Sequence, residues 1–100
     1  MIEKQGKSGE NLKKTRAFII KNELGLHLRP AGLFVKTAKN YQSNITVEKD
    51  GIRADGKSIL GITTLNAAKN SKIIIEASGK DADQALEGLG RLIASNFEET

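Results

Sequence analysis

The chain has 100 residues, 38% of them apolar, which is enough for one domain with a single modest core. The absence of cysteine excludes disulfides and thiolate chemistry, and a single histidine argues against a zinc site. No apolar run is long enough to span a membrane, and residues 1–14 lack the apolar stretch of a secretory signal. We therefore expect a cytoplasmic protein that needs no cofactor or metal.

The positive charge is concentrated in the first three quarters of the chain. Residues 1–75 carry 14 basic and 6 acidic side chains, a balance of +8, whereas residues 76–100 carry 2 and 6, a balance of −4. A basic excess attracts anionic partners, nucleic acid among them. The basic residues are scattered, however, and four aromatic side chains are few for base stacking. An anionic ligand or an acidic protein surface is therefore the favoured partner, with nucleic acid as the lesser alternative.

The first part of the chain predicts an extension, a strand and a helix. Residues 1–14 are polar and charged, which predicts a flexible extension and places the folded domain at residues 15–100. Thr15–Asn22 consists of strand formers that are apolar on both faces at their middle, which predicts a central strand. Arg29–Lys39 has apolar residues at helical spacing and predicts an amphipathic helix.

The middle of the chain predicts a hairpin and a short helix. Asn44–Glu48 alternates apolar and polar residues, and the Asp50-Gly51 pair after it indicates a tight turn into a return strand at Ile52–Ala54. Ser58 can cap a helix over Ile59–Ala68, because its hydroxyl can accept from the N–H groups at the helix start. A glycine and two threonines make that helix intrinsically weak.

The last part of the chain predicts a strand and a long helix. Lys72–Ala77 contains three consecutive isoleucines and is the strongest strand pattern in the sequence. Asp81–Phe97 has one apolar stripe at helical spacing, and its Gly88 and Gly90 indicate close packing against another element. The order β-α-β-β-α-β-α predicts a two-layer α+β fold with a mainly antiparallel sheet.

The only histidine, His27, lies where the first strand leads into the first helix. Pro30 fits the first turn of that helix, because its φ is helical and its missing N–H has no partner there. The free N–H groups of a helix start attract anions, and Arg29 adds a positive guanidinium beside them. A lone histidine in a small domain ordinarily has no chemical role. These residues alone therefore support a phosphate-holding imidazole and an inert one about equally.

Two short motifs resemble those of the histidine-containing phosphocarrier family, HPr. One is G-L-H-x-R-P-A, present from Gly25 to Ala31, and the other is K-S-I-x-G, present from Lys57 to Gly61. The resemblance covers about Ala17 to Glu98, and the two motifs have the separation that the family shows. It implies an open-faced β-sandwich, in which four antiparallel strands are covered on one face by three helices.

The resemblance also implies a function in the bacterial phosphotransferase system. A family member is a carrier and not an enzyme: it accepts a phosphoryl group from enzyme I and passes it to an enzyme IIA-type acceptor. By this resemblance His27 is phosphorylated on Nδ1, and Arg29 stabilises the phosphoryl group. A monomer that binds neither nucleic acid nor membrane is the corresponding expectation.

Ser58 is a second candidate site. It matches a serine that a dedicated kinase phosphorylates in many relatives, which implies a regulatory module whose partners are a serine kinase/phosphorylase and a transcription regulator. A phosphate there would add negative charge beside a helix start. The alternative is an ordinary N-cap serine. The resemblance favours this alternative, because many family members keep the serine without regulatory use.

A docking patch is the third feature implied by the resemblance. Leu28, Ile59 and Leu60 match the apolar residues that meet enzyme I and its acceptors. Helix geometry cannot turn Ile59, Leu60 and Ile62 inward together, so at least one of them is expected at the surface. A rim of basic residues would suit acidic partners; its members are Arg29, Lys36 and Lys57.

The branch of the family is left open by two conflicting signals. Leu24 stands where sugar-type carriers often have a small polar residue, and it is similar to the nitrogen-related branch, NPr. The K-S-I-x-G motif is instead similar to regulated, sugar-type proteins. Sugar uptake, nitrogen control and carbon regulation therefore all stay compatible with the sequence.

Overall fold

The computed structural model describes residues 13–98. Its four strands form one antiparallel sheet in the order β1-β4-β2-β3. Alternate residues of the two inner strands, β2 and β4, are buried under the helices, so the helices cover one face and the other stays open. The elements are β1 (Lys13–Ile19), α1 (Leu28–Ala38), β2 (Asn44–Lys49), β3 (Ile52–Asp55), α2 (Ile59–Thr64), β4 (Lys72–Ser78) and α3 (Ala82–Ala94).

The predicted α+β fold, with an open-faced four-stranded sheet and three helices on one face, is confirmed. The hairpin prediction is also confirmed, since Asp50 and Gly51 both have positive φ (53° and 83°), as a two-residue turn between antiparallel strands requires. The apolar stripes predicted for α1 and α3 are buried in the core. Within residues 13–98, no helix is long and apolar enough to cross a membrane.

The central position predicted for the first strand is wrong, because β1 lies at an edge of the sheet formed by residues 13–98 and pairs there only with β4. Its apolar run is divided among three environments. Phe18 is half-buried, Ile19 is 41% exposed on the open face, and Ile20 has left the strand and is fully buried. The strand also ends at Ile19, three residues before the predicted Asn22. The apolar run therefore indicated a strand correctly, but neither its position in the sheet nor the burial of its residues.

The predicted start of the domain differs slightly from the observed one. Lys13 and Lys14, assigned to the extension, pair with Ser78 and Ala77 as the first residues of β1. The rest of the predicted extension, residues 1–12, lies outside the described residues.

Two helices end before the residues predicted from the sequence. Helix α2 stops at Thr64 instead of Ala68, because Asn66 adopts a left-handed conformation (φ 52°) that turns the chain away. Helix α3 stops at Ala94 instead of Phe97, and residues 96–98 all have positive φ. This reversal brings Phe97 back into the core, where it is fully buried.

Candidate functional site

His27 is the residue that caps the N-terminus of α1. Its backbone is extended (φ −79°, ψ −171°), and its carbonyl oxygen accepts from the N–H of Ala31 at 2.9 Å. Its side chain makes no capping hydrogen bond to the helix. The helix therefore begins at the histidine, as predicted, and both ring nitrogens are left for other chemistry.

The loop before His27 is held by short polar contacts. Asn22 is almost fully buried, and its Nδ2 donates to the carbonyl oxygen of Gly25 at 2.7 Å, while the Gly25 N–H donates to the carbonyl of Asn22 at 3.2 Å. The N–H of Leu26 donates to the carbonyl oxygen of Ala67 at 2.8 Å. This last bond joins the histidine loop to the connection between α2 and β4.

The helix start offers donors and positive charge beside His27. The N–H groups of Leu28 and Arg29 precede the first intrahelical bond, so the helix provides no acceptor for them. Pro30, the third residue of α1, is buried and has no N–H to satisfy. The Arg29 side chain is exposed and forms no ion pair within residues 13–98. Free N–H groups and a guanidinium together suit an anion.

A concavity of about 410 Å³ lies against one side of the histidine and is called here the His27 concavity. Leu24 and Leu28 line it from the histidine loop, and Thr63, Asn66 and Ala67 line it from the other side. Its other lining residues are apolar. Arg29 does not line it, so the guanidinium and the concavity flank His27 separately.

Ser58 caps α2 as the sequence predicts. Its Oγ accepts from the N–H of Gly61 at 3.0 Å, and its backbone is extended. The hydroxyl group therefore has a structural role, and its proton is not used in that hydrogen bond.

The residues of the predicted docking patch are at the surface of two helices that pack together, α1 and α2. Leu28 is 70% exposed, Ile59 42% and Leu60 77%. Ile62 is fully buried and belongs to the core, whereas Ile59 and Leu60 are exposed, so the expectation that these three cannot all turn inward is met.

The predicted basic rim is smaller than expected. Arg29 and Lys36 are exposed, but the Nζ of Lys57 donates to the carbonyl oxygen of Tyr41 at 2.7 Å. Lys57 is therefore committed to fixing the connection between α1 and β2. It is half-buried, because its long stem reaches a backbone acceptor on a neighbouring loop, and this leaves Arg29 and Lys36 as the exposed basic residues of the predicted rim.

Sequence reasoning missed the wall of the His27 concavity formed by Thr63, Asn66 and Ala67. Those residues were assigned to a longer α2, where their side chains have no defined relation to His27. An asparagine tolerates the left-handed conformation that ends a helix, and this was the available signal. Within residues 13–98, no group of three His, Cys, Asp or Glu side chains is arranged to hold a metal ion.

Comparison with known proteins places the chain in a family. A family model described as the PTS HPr component phosphorylation site matches residues 14–95. The chain belongs to the HPr family. HPr proteins are phosphocarriers of the phosphotransferase system, and this HPr-family chain has that general role.

Relatives of this HPr-family chain occur as separate proteins and within larger ones. It is 47% identical over 81 residues to the phosphocarrier protein HPr of Borreliella burgdorferi, covering 81% of this chain and 93% of that protein. It is 38% identical over 85 residues to the multiphosphoryl transfer protein of Salmonella typhimurium, covering 82% of this chain but 23% of that protein. Among solved structures, HPr from Thermoanaerobacter tengcongensis matches with a TM-score of 0.84 at 42% identity, covering 87% of this chain and 98% of that one.

Proposed function

We propose that this HPr-family chain accepts a phosphoryl group from enzyme I on Nδ1 of His27 and passes it to an enzyme IIA-type acceptor. The observation that carries the proposal is a histidine at the start of α1 whose ring is not used to cap the helix. The chain acts as a monomeric, cytoplasmic, stoichiometric carrier, without a cofactor or turnover of its own.

The transfer step needs only the imidazole and its surroundings. The Nδ1 lone pair forms a bond to phosphorus while the bond from phosphorus to the donor breaks, and the electron pair of that bond returns to the donor. The free N–H groups of Leu28 and Arg29 and the Arg29 guanidinium favour the phosphoryl oxygens. When an acceptor docks, the same steps in reverse transfer the phosphoryl group from His27 to it.

The test of this function uses the single histidine. Incubation with enzyme I and phosphoenolpyruvate should add one phosphoryl group to the wild type, which intact-mass measurement detects. The added mass should be labile in acid and stable in base, and His27→Ala should show none. Arg29→Ala should still be phosphorylated, but more slowly. An unmodified wild type, or an equal gain on His27→Ala, would contradict the proposal.

Docking is proposed to use the exposed patch of Leu28, Ile59 and Leu60. An apolar side chain at the centre of an interface contributes about 1–2 kcal/mol, so Leu60→Ala should raise the concentration for half-maximal phosphorylation roughly tenfold. Ile52→Ala is the matched control, because Ile52 is 63% exposed but lies on β3, outside the patch. Equal effects of the two substitutions would remove the patch from the proposal.

A second candidate function is regulation through phosphorylation of Ser58. The position of Ser58 favours it, because its hydroxyl proton is uncommitted and the next two residues, Ile59 and Leu60, belong to the docking patch. A phosphate there would place negative charge beside the patch and weaken binding of acidic partners. Incubation with ATP and an HPr-directed serine kinase should label the wild type but not Ser58→Ala; label that persists in the variant would contradict this function.

A further inference from the structure

Asn66 lies next to His27 although 38 residues separate them along the chain. The N–H of Leu26 donates to the carbonyl of Ala67 at 2.8 Å, and this bond joins the residue before the histidine to the residue after the asparagine. The contact requires Gly25, because a Cβ at that position would overlap the Ala67 carbonyl oxygen and lie 2.8 Å from the Ala68 Cα. This backbone hydrogen bond brings the segments of His27 and Asn66 together, and both side chains line the His27 concavity.

Asn66 is the polar side chain of that concavity that is free to bind a ligand. Besides His27, the polar residues that line it are Thr63 and Asn66. The Thr63 hydroxyl is occupied, because it lies 3.0 Å from the carbonyl oxygens of both Ile59 and Leu60. The Asn66 backbone N–H donates to the Thr63 carbonyl at 3.1 Å, whereas its side-chain amide is exposed and makes no hydrogen bond within residues 13–98.

We propose that Asn66 is a phosphoryl-binding residue: its side-chain N–H donates a hydrogen bond to the phosphoryl group carried on His27. This inference rests on the proposed function. The amide complements the helix N-terminus and Arg29, because it adds a donor from the concavity, which Arg29 does not line, without adding charge. A neutral donor stabilises the phosphorylated carrier through a weaker hydrogen bond than a charged donor would form. A charged donor would bind the phosphoryl group more tightly and slow its transfer to an acceptor.

Backbone conformation is the competing reason for an asparagine at this position. Its φ of 52° is left-handed, and asparagine and glycine are the residues that adopt this region most readily. The chain supplies a control for that reason. Asn70 has a φ of 76°, is exposed in the same connection and does not line the His27 concavity. A purely conformational role predicts that the same substitutions at the two positions have the same consequences.

The experiment compares Asn66→Gly and Asn66→Asp with Asn70→Gly and Asn70→Asp. Glycine keeps the left-handed backbone and removes the donor, whereas aspartate keeps the shape and places a negative charge beside the phosphate. The probe is phosphoramidate, which loads histidine chemically and without a protein partner. The loaded chains are followed by ³¹P NMR for the chemical shift and titration of the phosphoryl group, and by intact mass for its loss.

Removal of one hydrogen bond to the phosphoryl group should lower its acid dissociation constant about three- to tenfold, because the dianionic form loses that bond. The apparent pKa of the phosphoryl group should therefore rise by roughly half a unit to one unit in Asn66→Gly. Asn66→Asp should raise it further, and both should shift the ³¹P resonance. The Asn70 variants should match the wild type. Identical shifts and titration curves for wild type, Asn66→Gly and Asn66→Asp would overturn the inference.

The outcome is independent of the proposed partner reaction, because phosphoramidate replaces enzyme I. Failure of enzyme I to phosphorylate the wild type would contradict the proposed function alone. With enzyme I active, a mixture of wild type and Asn66→Gly should share phosphate unequally at equilibrium, about three- to tenfold in favour of the wild type. Equal sharing would again contradict a phosphoryl-binding role for Asn66.

Discussion

The helix beside His27 leaves its ring free, as the proposed role in carrying a phosphoryl group requires. Serine, threonine or aspartate at an N-cap turns its side chain back to the helix, but His27 makes no such bond. The N–H groups at the helix start therefore stay available to an anion held on the ring. The imidazole and the donors belong to consecutive residues, so one short motif indicates an anion-binding histidine, but the second motif was needed to favour a phosphocarrier over an inert side chain.

The conformation of Gly25 controls the position of the histidine. Its φ is +72°, and a methyl group would overlap the Ala67 carbonyl oxygen. We expect Gly25→Ala to reduce the free energy of unfolding by roughly 2–4 kcal/mol, measured by urea denaturation, from backbone strain and steric overlap together. We also expect slower phosphorylation of His27, because the bond between Leu26 and Ala67 must lengthen.

Gly51→Ala is the control for that prediction. Gly51 also has a left-handed φ, +83°, but no other atom lies within 4 Å of a Cβ built there. Its substitution should cost only about 1 kcal/mol for the backbone conformation and leave phosphorylation unchanged. Similar losses of stability in the two variants would show that steric overlap with Ala67 adds nothing to the destabilisation caused by Gly25→Ala.

Elements were predictable from sequence where local pattern determines them. The stripes of α1 and α3 and the Asp50-Gly51 turn depend on residues close in the chain, and the structure confirms them. The end of α2 was not predicted, because Asn66 was the one local signal for it. The segment after Thr64 has acceptable helix formers, but its residues pack against Gly25 and Leu26, and a contact between distant segments overrides local propensity.

Helix α1 contains a glycine that the packing does not require. A Cβ at Gly32 would have no other atom within 4 Å, so Gly32→Ala should gain the helix propensity of alanine, roughly 0.5–1 kcal/mol. Gly88→Ala in α3 has the same gain, but its methyl group would displace the ring of Tyr41, at a cost of about 1–3 kcal/mol. Denaturation midpoints should therefore rise for Gly32→Ala and fall for Gly88→Ala; a rise in both would contradict the packing argument.

At the scale of the whole molecule, the candidate site combines two segments that are distant along the chain. The donors and His27 come from one segment, and Ser58, Leu60 and Asn66 come from another that only the fold brings near. The sequence could indicate the first group because its residues are adjacent. The family resemblance indicated the docking patch, and helix geometry added only that at least one of its residues is exposed. The sequence could not indicate the neighbourhood of Asn66, since this depends on one backbone hydrogen bond between distant loops.

Asp81 forms another connection between distant loops and makes stability depend on pH. Its carboxylate accepts from the N–H groups of Gln42 and Ser43 at 2.8 and 2.9 Å and from the buried Ser43 hydroxyl. The Ser43 hydroxyl bond is the largest cause that lowers the pKa of Asp81 below its ordinary value of 3.8, and the two backbone N–H bonds add to it against the opposing effect of partial burial.

The direction of the pH effect follows from that lowered pKa. The unfolded chain binds the proton more readily, so the contribution of Asp81 is complete above the unfolded pKa and is lost as the pH falls through the folded one. Asp81→Asn should cost roughly 1–2 kcal/mol at neutral pH, and its urea denaturation midpoint should converge with that of the wild type in acid. Asp83→Asn is the control: Asp83 is exposed, and its one ion pair within residues 13–98 is with Lys14 at 3.7 Å, so a change within about 0.5 kcal/mol is expected. A difference between wild type and Asp81→Asn that persists unchanged well below pH 3.8 would exclude the carboxylate charge as the stabilising group.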